Sequence, residues 1–523
     1  MIEQSRSCGR ISSKMSYSEL QNGSDIRGIA MENETGASVN LTKKASEDLA
    51  GAFALWLSAR NDNKKVKIAL GRDSRLTGKD LLEAAAKGIV AQGHEVCDFG
   101  IASTPAMFMS TVLESGDDKA TYDGSIMITA SHLPYYRNGL KFFTKEGGLE
   151  KGDIKELTEL ADKLSSSESP ALDTDIKTCN FMDTYASYLQ EKIREGAGKG
   201  DRPLEGLKII VDAGNGAGGF YVTKVLEPLG ADTTGSQFLE PDGSFPNHIP
   251  NPENKEAAES IKNATLTSKA DLGIIFDTDV DRAGAVLPSG KTLTRNDLIA
   301  ILSMIALEQH PGTTIVTDSV TSDGLHDFIL AHGGRHKRFK RGYRNVIDES
   351  IRLNNEGTDS QLAIETSGHG AFKENYFLDD GAYLMVKLLI EMGKGKKLEE
   401  MISDLGEPCE SDEIRFPVLQ DKIEGGDLQA NGDRILKMLE EAAGSVEGWS
   451  LPKENYEGVR VNADKEHGDG WLLLRKSLHE PIMPLNIESN TKGGNMLMAT
   501  KLKEILAGED TLDQSPLDAF INK

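Results

Sequence analysis

The chain of 523 residues is too long for one hydrophobic core, and at about 150 residues per domain it predicts three or four domains. Hydrophobic residues make up 38% of the chain and charged residues 27%, which is typical of a globular protein and excludes a disordered or fibrous one. The formal net charge of -24 argues against a nucleic-acid partner, because a phosphate backbone would be repelled.

The four cysteines lie too far apart for a zinc knuckle or a CxxC motif and are too few for a disulfide framework, which favours a reducing compartment. No window approaches 18 continuous apolar residues, and the first twenty residues lack the apolar region of a secretory signal. We therefore expect a cytoplasmic protein with no membrane partner. The Ser, Arg and Lys residues of the N-terminal stretch leave open a transit-peptide remnant, and with it a plastid or another organelle, although Glu3 and Glu19 weaken that reading.

One pattern recurs along the chain: a short apolar run stops at Gly and polar residues and is followed by a segment with helical spacing. Apolar stripes with helical spacing cover residues 49–57 and 82–89, and Gly93 follows the second at a C-cap position. The strands predicted from the apolar runs are 66–70, 126–128, 209–211, 274–276, 315–316, 363–364 and 472–474. This alternation predicts α/β architecture with the chemistry at the carboxyl ends of strands.

The strand predicted at 126–128 runs into Thr129-Ala130-Ser131-His132. A hydroxyl at the end of a strand, followed by His132 and, further on, by Lys141, could accept a phosphoryl group. A turn punctuated by Pro134 explains the same residues about equally well.

Three carboxylates, Asp277, Asp279 and Asp281, directly follow the strand predicted at 274–276. In an extended strand Asp277 and Asp281 would stand about 13 Å apart, at roughly 3.3 Å per residue, so this segment must curl if it binds one ion. Hard oxygen ligands suit Mg²⁺. A solvated acidic loop is improbable directly after a buried strand.

Two other motifs overlap the three aspartates. An EF-hand loop would require Gly at its sixth position and Glu at its twelfth, where the chain has Arg282 and Pro288, and is excluded. The strand followed by Asp-x-Asp of haloacid-dehalogenase phosphatases matches Asp277-Thr278-Asp279 and stays open as an alternative.

Two further loops carry polar groups. Glu365, Ser367 and His369 end a predicted strand and could hydrogen-bond sugar hydroxyls, and His369 could also move a proton. The segment from Arg475 to Pro481 combines an Arg with hydroxyl and backbone donors, which suits a phosphate.

In this order and spacing, the loops resemble the four signature loops of the α-D-phosphohexomutase family (phosphoglucomutase/phosphomannomutase). SDIRG at 24–28 and GRDSR at 71–75 resemble two further elements of the family, so that the resemblance covers nearly the whole chain. It implies four domains around a central cleft, namely three similar mixed α/β domains and a C-terminal α+β domain. We expect them at 1–177 (phosphoserine loop), 178–291 (metal loop), 292–408 (sugar loop) and 409–523 (phosphate loop).

The same resemblance implies a role for each matching residue. Ser131 would carry the phosphoryl group and, with Asp277, Asp279 and Asp281, bind Mg²⁺. The catalytic group would also include Arg27 and Lys141 beside the phosphoryl group, Lys141 and His369 as candidates for proton transfer, and His132. The substrate contacts would be Glu365 and Ser367 to sugar hydroxyls, and Arg282, Arg475, Ser477 and His479 to phosphate.

The implied reaction interconverts hexose 1-phosphate and hexose 6-phosphate through a hexose 1,6-bisphosphate, which also acts as the activator. Glucose is favoured over mannose, and the protein would be a monomer or a dimer. The chain departs from the family pattern at Leu133, Thr278, His479 and Pro484. These departures keep a second alternative open, a catalytically weakened sugar-phosphate-binding regulator, beside a phosphatase with Asp277 as nucleophile.

Overall fold

The computed structural model describes residues 16–116, 119–165, 176–477 and 480–523. The chain divides into two compact units. The first unit comprises Met1–Lys192, Glu205–Ala264 and Ile275–Asp281, and the second comprises Ile193–Leu204, Thr265–Ile274 and Arg282–Lys523. Over the described ranges, none of the helices has the length and apolar character that crossing a membrane requires.

The described residues of the first unit form nine strands: β1 (Gln21–Asn22), β2 (Asp25–Ile29), β3 (Lys67–Arg72), β4 (Glu95–Ile101), β5 (Gly124–Ile128), β6 (Arg137–Thr144), β7 (Gly147–Gly148), β8 (Lys177–Thr178) and β9 (Ile209–Asp212). Its α-helices are α1 (Lys43–Arg60), α2 (Gly78–Ala91), α3 (Thr104–Met109) and α4 (Lys151–Leu164). Three elements contain residues of both units: α5 (Phe181–Ala197), α6 (Lys255–Ser268) and β10 (Leu272–Phe276).

Strands β1 to β8 form one mixed sheet in the order β1-β2-β6-β5-β3-β4-β8, with β7 paired to β6. The central strands β5, β3 and β4 are parallel, whereas β6 runs antiparallel to β5 and β2. Their apolar residues are buried together with the inner faces of α1, α2 and α4. At the crossing of α1 and α2, a Cβ on Gly88 would lie only 1.9 Å from the carbonyl oxygen of Glu47, so glycine is required there.

A disulfide bond links Cys97 in β4 to Cys179, just beyond β8, across a sequence separation of 82 residues. The sequence analysis did not anticipate this bond, because nothing in the spacing of four scattered cysteines indicates which two meet. Strands β4 and β8 are also paired with each other, with Cys97 opposite Lys177. The free thiol of Cys409 is exposed.

In the second unit, twelve strands lie within the described part of the chain: β11 (Ala283–Val286), β12 (Thr292–Leu293), β13 (Thr314–Asp318), β14 (Arg335–Phe339), β15 (Leu362–Ile364), β16 (Gly370–Phe372), β17 (Leu378–Asp379), β18 (Glu410–Pro417), β19 (Trp449–Ser450), β20 (Val459–Ala463), β21 (Gly470–Leu474) and β22 (Ile482–Ser489). Its α-helices are α7 (Arg295–Gln309), α8 (Asp323–Ala331), α9 (Tyr343–Asn355), α10 (Gly381–Gly393), α11 (Leu398–Met401), α12 (Leu428–Ala443), α13 (Gly494–Ile505) and α14 (Ser515–Ile521).

Two sheets organise the second unit. The first has the order β14-β13-β15-β16-β17, with β13 parallel to both β14 and β15. The other has the order β18-β22-β21-β20-β19 and is antiparallel throughout, with a core shared with α12, α13 and α14. The antiparallel sheet confirms the predicted α+β C-terminal domain.

Each apolar run predicted as a strand lies in a strand, the first of them displaced slightly into β3, and the two helical stripes lie in α1 and α2. Gly93, two residues beyond α2, has a φ of 83°, as expected of a C-cap glycine. The domain boundaries at 177, 291 and 408 stay predictions.

Candidate active site

Ser131 follows β5 in a backbone conformation that serine rarely adopts. Its φ is 51°, in the left-handed region, and its backbone N–H donates to Thr129 Oγ1 at 2.8 Å. The side chain is buried, and its Oγ lies 3.3 Å from Asp277 Oδ2 and 3.2 Å from His132 Nδ1. A strained residue held at the carboxyl end of a central strand is typical of a functional site.

Arg75 holds the backbone of the Ser131 loop. Its guanidinium donates from Nη2 to the carbonyl oxygens of Ser131 and Leu133 at 2.5 and 2.6 Å, and from Nη1 to those of Pro134 and Arg137 at 2.8 and 2.9 Å. Nε lies 3.2 Å from Asp73 Oδ2, and neither side chain of this ion pair is exposed. Burial first, and then the positive charge of Arg27, lowers the pKa of Arg75.

The three aspartates after β10 curl as a shared ion requires. Each of Asp277, Asp279 and Asp281 offers one carboxylate oxygen within 4.8 Å of the others, and all three are buried. Thr104 orients the middle one, donating from Oγ1 to Asp279 Oδ2 at 2.5 Å and from its backbone N–H to the Asp279 carbonyl oxygen at 2.8 Å.

Two cations lie close to this acidic group and to the Ser131 loop. Lys141 in β6 places Nζ 2.5 Å from Asp281 Oδ2 and 3.3 Å from Asp279 Oδ2. Arg27 in β2 donates from Nη1 to the Thr129 carbonyl oxygen at 2.8 Å and from Nη2 to Asp25 Oδ2 at 2.8 Å. Burial disfavours both charges, but the surrounding carboxylates outweigh it and raise the pKa of each group.

These residues fit a divalent metal ion. Three carboxylates converge, and Lys141 contacts two of them. Asp279 Oδ1 is buried without a hydrogen-bond donor in the described part of the chain. A buried carboxylate oxygen is costly unless a cation or a donor meets it. An oxygen-only donor set suits Mg²⁺.

Val280, between two of the aspartates, is the strained residue of the acidic loop. Its φ is 67°, an outlier for a β-branched residue. Thr278, one of the departures from the family pattern, has no positive φ, and its Oγ1 is buried without a hydrogen-bond partner among the described residues. Sequence analysis singled out Thr278 and missed Val280.

In the second unit, Glu365 and Asp318 lie at the carboxyl ends of two neighbouring strands. Asp318 ends β13 and Glu365 directly follows β15, and these strands are parallel neighbours. Glu365 accepts from the Gly342 backbone N–H at 2.6 Å and from Ser367 Oγ at 3.3 Å. Burial, followed by the negative charge of Asp318, raises the pKa of Glu365 to about 7.

Asp318 is the more enclosed of the two carboxylates. It has no exposed surface, and its Oδ2 accepts from Thr366 Oγ1 at 2.6 Å and lies 3.5 Å from Arg341 Nε. Its Oδ1 finds no donor among the described residues. Asp318 and Arg341 therefore join Glu365 and Ser367 as candidate polar contacts, and sequence analysis missed both.

His369 is oriented by two neighbours that sequence analysis did not name. Its Nδ1 lies 2.6 Å from Asp379 Oδ2, and its ring stacks on Tyr343 with centroids 5.1 Å apart and planes 27° apart. Arg282, nearly buried, pairs with His369 through an isolated antiparallel bridge.

Arg475 follows β21 and is buried, with Nε lacking a partner in the described ranges. Its backbone N–H donates to the Pro484 carbonyl oxygen at 3.1 Å, so Pro484 contributes backbone to this loop. Burial first, and then Arg341, lowers the pKa of Arg475. Ser477 donates from its backbone N–H to the Ile482 carbonyl oxygen at 3.1 Å, and His479 lies outside the described residues.

The structure thus gathers the predicted residues in two groups, one in each unit. The first holds Arg27, Ser131, His132, Lys141, Asp277, Asp279 and Asp281, and the second holds Arg282, Glu365, Ser367, His369, Arg475 and Ser477. A signal for the missed residues existed in part, because Arg75 belongs to the GRDSR element and Asp318 lies two residues beyond the apolar run 315–316.

Three family models match the chain in succession. They are described as phosphoglucomutase/phosphomannomutase, alpha/beta/alpha domain I (residues 18–168), domain II (183–290) and domain III (294–408).

Curated relatives match over nearly their full length. A phosphoglucomutase of Neisseria gonorrhoeae is 28% identical over 488 residues, covering 92% of this chain and 95% of that protein. A phosphomannomutase/phosphoglucomutase of Pseudomonas syringae is 29% identical over 471 residues, covering 90% of each.

A crystal structure of a phosphoglucomutase/phosphomannomutase family protein from Burkholderia thailandensis has a similar fold, with a TM-score of 0.77 at 24% sequence identity. The alignment covers 95% of this chain and 99% of that chain.

Proposed function

Because the chain belongs to the phosphoglucomutase/phosphomannomutase family, we propose that it is a hexose phosphate mutase in which Ser131 carries the transferred phosphoryl group. The observation that supports this role is the position of Ser131 Oγ, 3.3 Å from Asp277 Oδ2 at the edge of the three-carboxylate group. The enzyme is an isomerase of the intramolecular phosphotransferase kind.

Phosphoryl transfer requires in-line positioning and neutralisation of charge on the equatorial oxygens. The Arg75 contacts fix the backbone that presents Ser131. Lys141 and Arg27 provide positive charge beside it. Asp277, Asp279 and Asp281, with Ser131, would hold Mg²⁺, which supplies further positive charge to the phosphoryl oxygens.

Residues of the second unit would bind the hexose phosphate. Glu365 and Ser367 would hydrogen-bond sugar hydroxyls, and the ring of His369, fixed through Asp379, would exchange the hydroxyl proton. The phosphate that does not react would be bound by Arg475, Ser477, His479 and Arg282.

The reaction balances over two transfers. Phosphoserine gives its phosphoryl group to the free hydroxyl of the hexose monophosphate, whose proton leaves to a base while the released Ser131 oxygen takes up a proton. The hexose 1,6-bisphosphate then reorients, and its other phosphoryl group returns to the Ser131 oxygen, which loses its proton as the released sugar oxygen takes one up. Added hexose 1,6-bisphosphate would prime a dephosphorylated enzyme, which is why we propose it as the activator.

We also propose glucose phosphate as the preferred substrate and mannose phosphate as a second one. We further propose that the protein is a monomer or a dimer, that it has no nucleic-acid partner, and that it lies in the cytoplasm.

Intact-protein mass spectrometry with a coupled mutase assay tests the role of Ser131. We expect one phosphate on the bisphosphate-treated protein, and its loss together with nearly all turnover in Ser131→Ala. Ser125→Ala is the matched control, because Ser125 lies in β5 and donates to the Met107 carbonyl oxygen instead. A fully active Ser131→Ala protein would contradict the proposal.

The same assay separates a mutase from a phosphatase with Asp277 as nucleophile. A mutase releases no net phosphate, whereas the phosphatase would release phosphate and tolerate Ser131→Ala. Turnover near ordinary enzyme rates, about 1 to 10³ per second, would exclude the weakened regulator.

A further inference from the structure

A cavity of about 590 Å³ lies in the second unit, where β14 and α8 meet β20 and the loop at 452–456. Small-molecule sites are typically about 300–1,000 Å³, so its size suits a metabolite. Its wall is strongly polar and includes Arg338, Arg460, His326, His336 and Lys453. None of these residues belongs to the candidate active site described above.

Two guanidinium groups of this wall share a single carboxylate oxygen. Arg338 donates from Nη2 to Asp323 Oδ1 at 2.9 Å, and Arg460 donates from Nη2 to the same oxygen at 2.8 Å. The Arg460 side chain is only 5% exposed, and its guanidinium stacks 3.7 Å above the Trp471 ring centroid. One carboxylate oxygen therefore serves both guanidinium groups.

The residues that line the cavity include four cations, Lys337, Arg338, Lys453 and Arg460, and three carboxylates, Asp323, Asp327 and Glu454. Lys337 lies 3.7 Å from Glu454 and also 3.4 Å from Glu349, which is not part of the lining. Glu488 accepts from Trp471 Nε1 and Ser411 Oγ and does not line the cavity, but its negative charge favours the charged forms of Arg338 and Arg460. The lining itself is thus positive by one charge, in a chain whose net charge is -24.

Arg338 has donor groups available for a ligand. It uses Nε toward Thr321 Oγ1 and Nη2 toward Asp323 and the Ser322 carbonyl oxygen, and Nη1 makes no hydrogen bond in the described part of the chain. Its side chain is 21% exposed. A planar guanidinium with free N–H groups in a partly enclosed cavity is suited to phosphate.

Two histidines complete the wall as neutral hydrogen-bonding groups. His326 Nδ1 lies 3.1 Å from His336 Nδ1, and His336 Nε2 lies 2.7 Å from Thr317 Oγ1. Burial first, and then the charge of Arg338, lowers the pKa of both imidazoles. An anion beside Arg338 would reduce this electrostatic penalty.

The geometry points to a second anion site, in which the phosphate group of a small phosphorylated metabolite binds Arg338 and Lys453 inside this cavity. Its position also connects it to the sugar-loop residues. Ser319 lines the cavity, directly follows Asp318, and donates from Oγ to Glu457, which also accepts from the Arg341 backbone N–H at 3.2 Å. This link to the active site rests on the proposed function, whereas the binding site itself does not.

Equilibrium dialysis with inorganic phosphate tests the site. An Arg475→Ala chain serves as the background, because it removes a proposed phosphate contact of the active site. We expect one phosphate bound with a dissociation constant of about 1 mM or lower. Adding Arg338→Gln should weaken binding at least tenfold, and Lys453→Gln, at an exposed position that does not endanger folding, should weaken it severalfold.

Arg335→Gln is the matched control, since Arg335 lies three residues earlier in the same strand, is exposed, and does not line the cavity. It should change phosphate binding less than twofold. No binding up to about 10 mM, or equal weakening by the changes at 335, 338 and 453, would overturn the proposal. Repeating the titration with hexose 6-phosphate shows which source of phosphate binds: tighter binding than that of inorganic phosphate supports a metabolite, and weaker binding overturns that part.

Discussion

Lys141 allows a direct test of how the negative charge of the three buried carboxylates is compensated. Its Nζ contacts Asp281 and Asp279 at 2.5 and 3.3 Å, and its side chain is 7% exposed. Lys141→Met keeps the length and apolar stem of the side chain but removes the charge, leaving buried carboxylates without their contact cation. Breaking a buried pair in this way costs about 3–5 kcal/mol.

For a cooperative unit of this size, about 2 °C of melting temperature corresponds to each kcal/mol. We therefore expect Lys141→Met to melt about 6–10 °C below the unaltered protein in chelator-treated buffer. Added Mg²⁺ should recover much of this loss, because an ion bound to the folded state stabilises it by mass action and replaces the missing charge. Differential scanning calorimetry with and without Mg²⁺ measures both effects.

Lys145→Met is the control, because Lys145 lies just beyond the same strand with its side chain 76% exposed. Its melting temperature should fall by less than about 1 °C, as for most surface substitutions. Equal losses in the two variants, or a Lys141→Met loss that Mg²⁺ leaves unchanged, would refute the electrostatic reasoning. This outcome is independent of turnover, so it separates the charge of Lys141 from any role in proton transfer.

Three further predictions concern other contacts. Arg75→Lys should lower turnover at least tenfold, because a Lys side chain cannot bind all four carbonyl oxygens that Arg75 binds. Mass spectrometry should still detect phosphate on Ser131, and unchanged turnover would contradict the prediction. Asp318→Asn removes a negative charge that helps to raise the pKa of Glu365 to about 7. The part of the pH dependence of kcat/KM that reports Glu365 should therefore move to lower pH, and a shift to higher pH would contradict this. Cys179→Ser removes the disulfide bond across 82 residues and should lower the free energy of unfolding, measured in urea titrations, by up to about 4.5 kcal/mol. If the unaltered protein were equally stable with and without reductant, the disulfide bond would not contribute to its stability and this prediction would be wrong.

The sequence predicted those features that depend on neighbouring residues. The apolar runs located the strands, and the polar residues directly after them included Ser131, Asp277 and Glu365. Each of these side chains is placed by the strand that precedes it, so a few consecutive letters are sufficient. The predicted curl of the acidic loop followed from strand geometry alone.

Features that depend on distant parts of the chain could not be predicted in the same way. Arg75 lies 56 residues before the Ser131 carbonyl oxygen that it binds, and Asp318 affects Glu365 only because β13 and β15 are adjacent. The pairing of Cys97 with Cys179 likewise requires the order of strands in the sheet. Val280 is a different case, since a side chain does not reveal the backbone angle that its neighbours impose.

The contacts of Arg75 also explain why the Ser131 loop can vary in sequence. All four oxygens that the guanidinium binds belong to the main chain, including that of Leu133, one of the residues at which the chain departs from the family pattern. A main-chain carbonyl is present whatever side chain the residue carries. Selection on this loop can therefore alter its side chains, and with them the groups displayed around Ser131, while the path of its backbone is preserved.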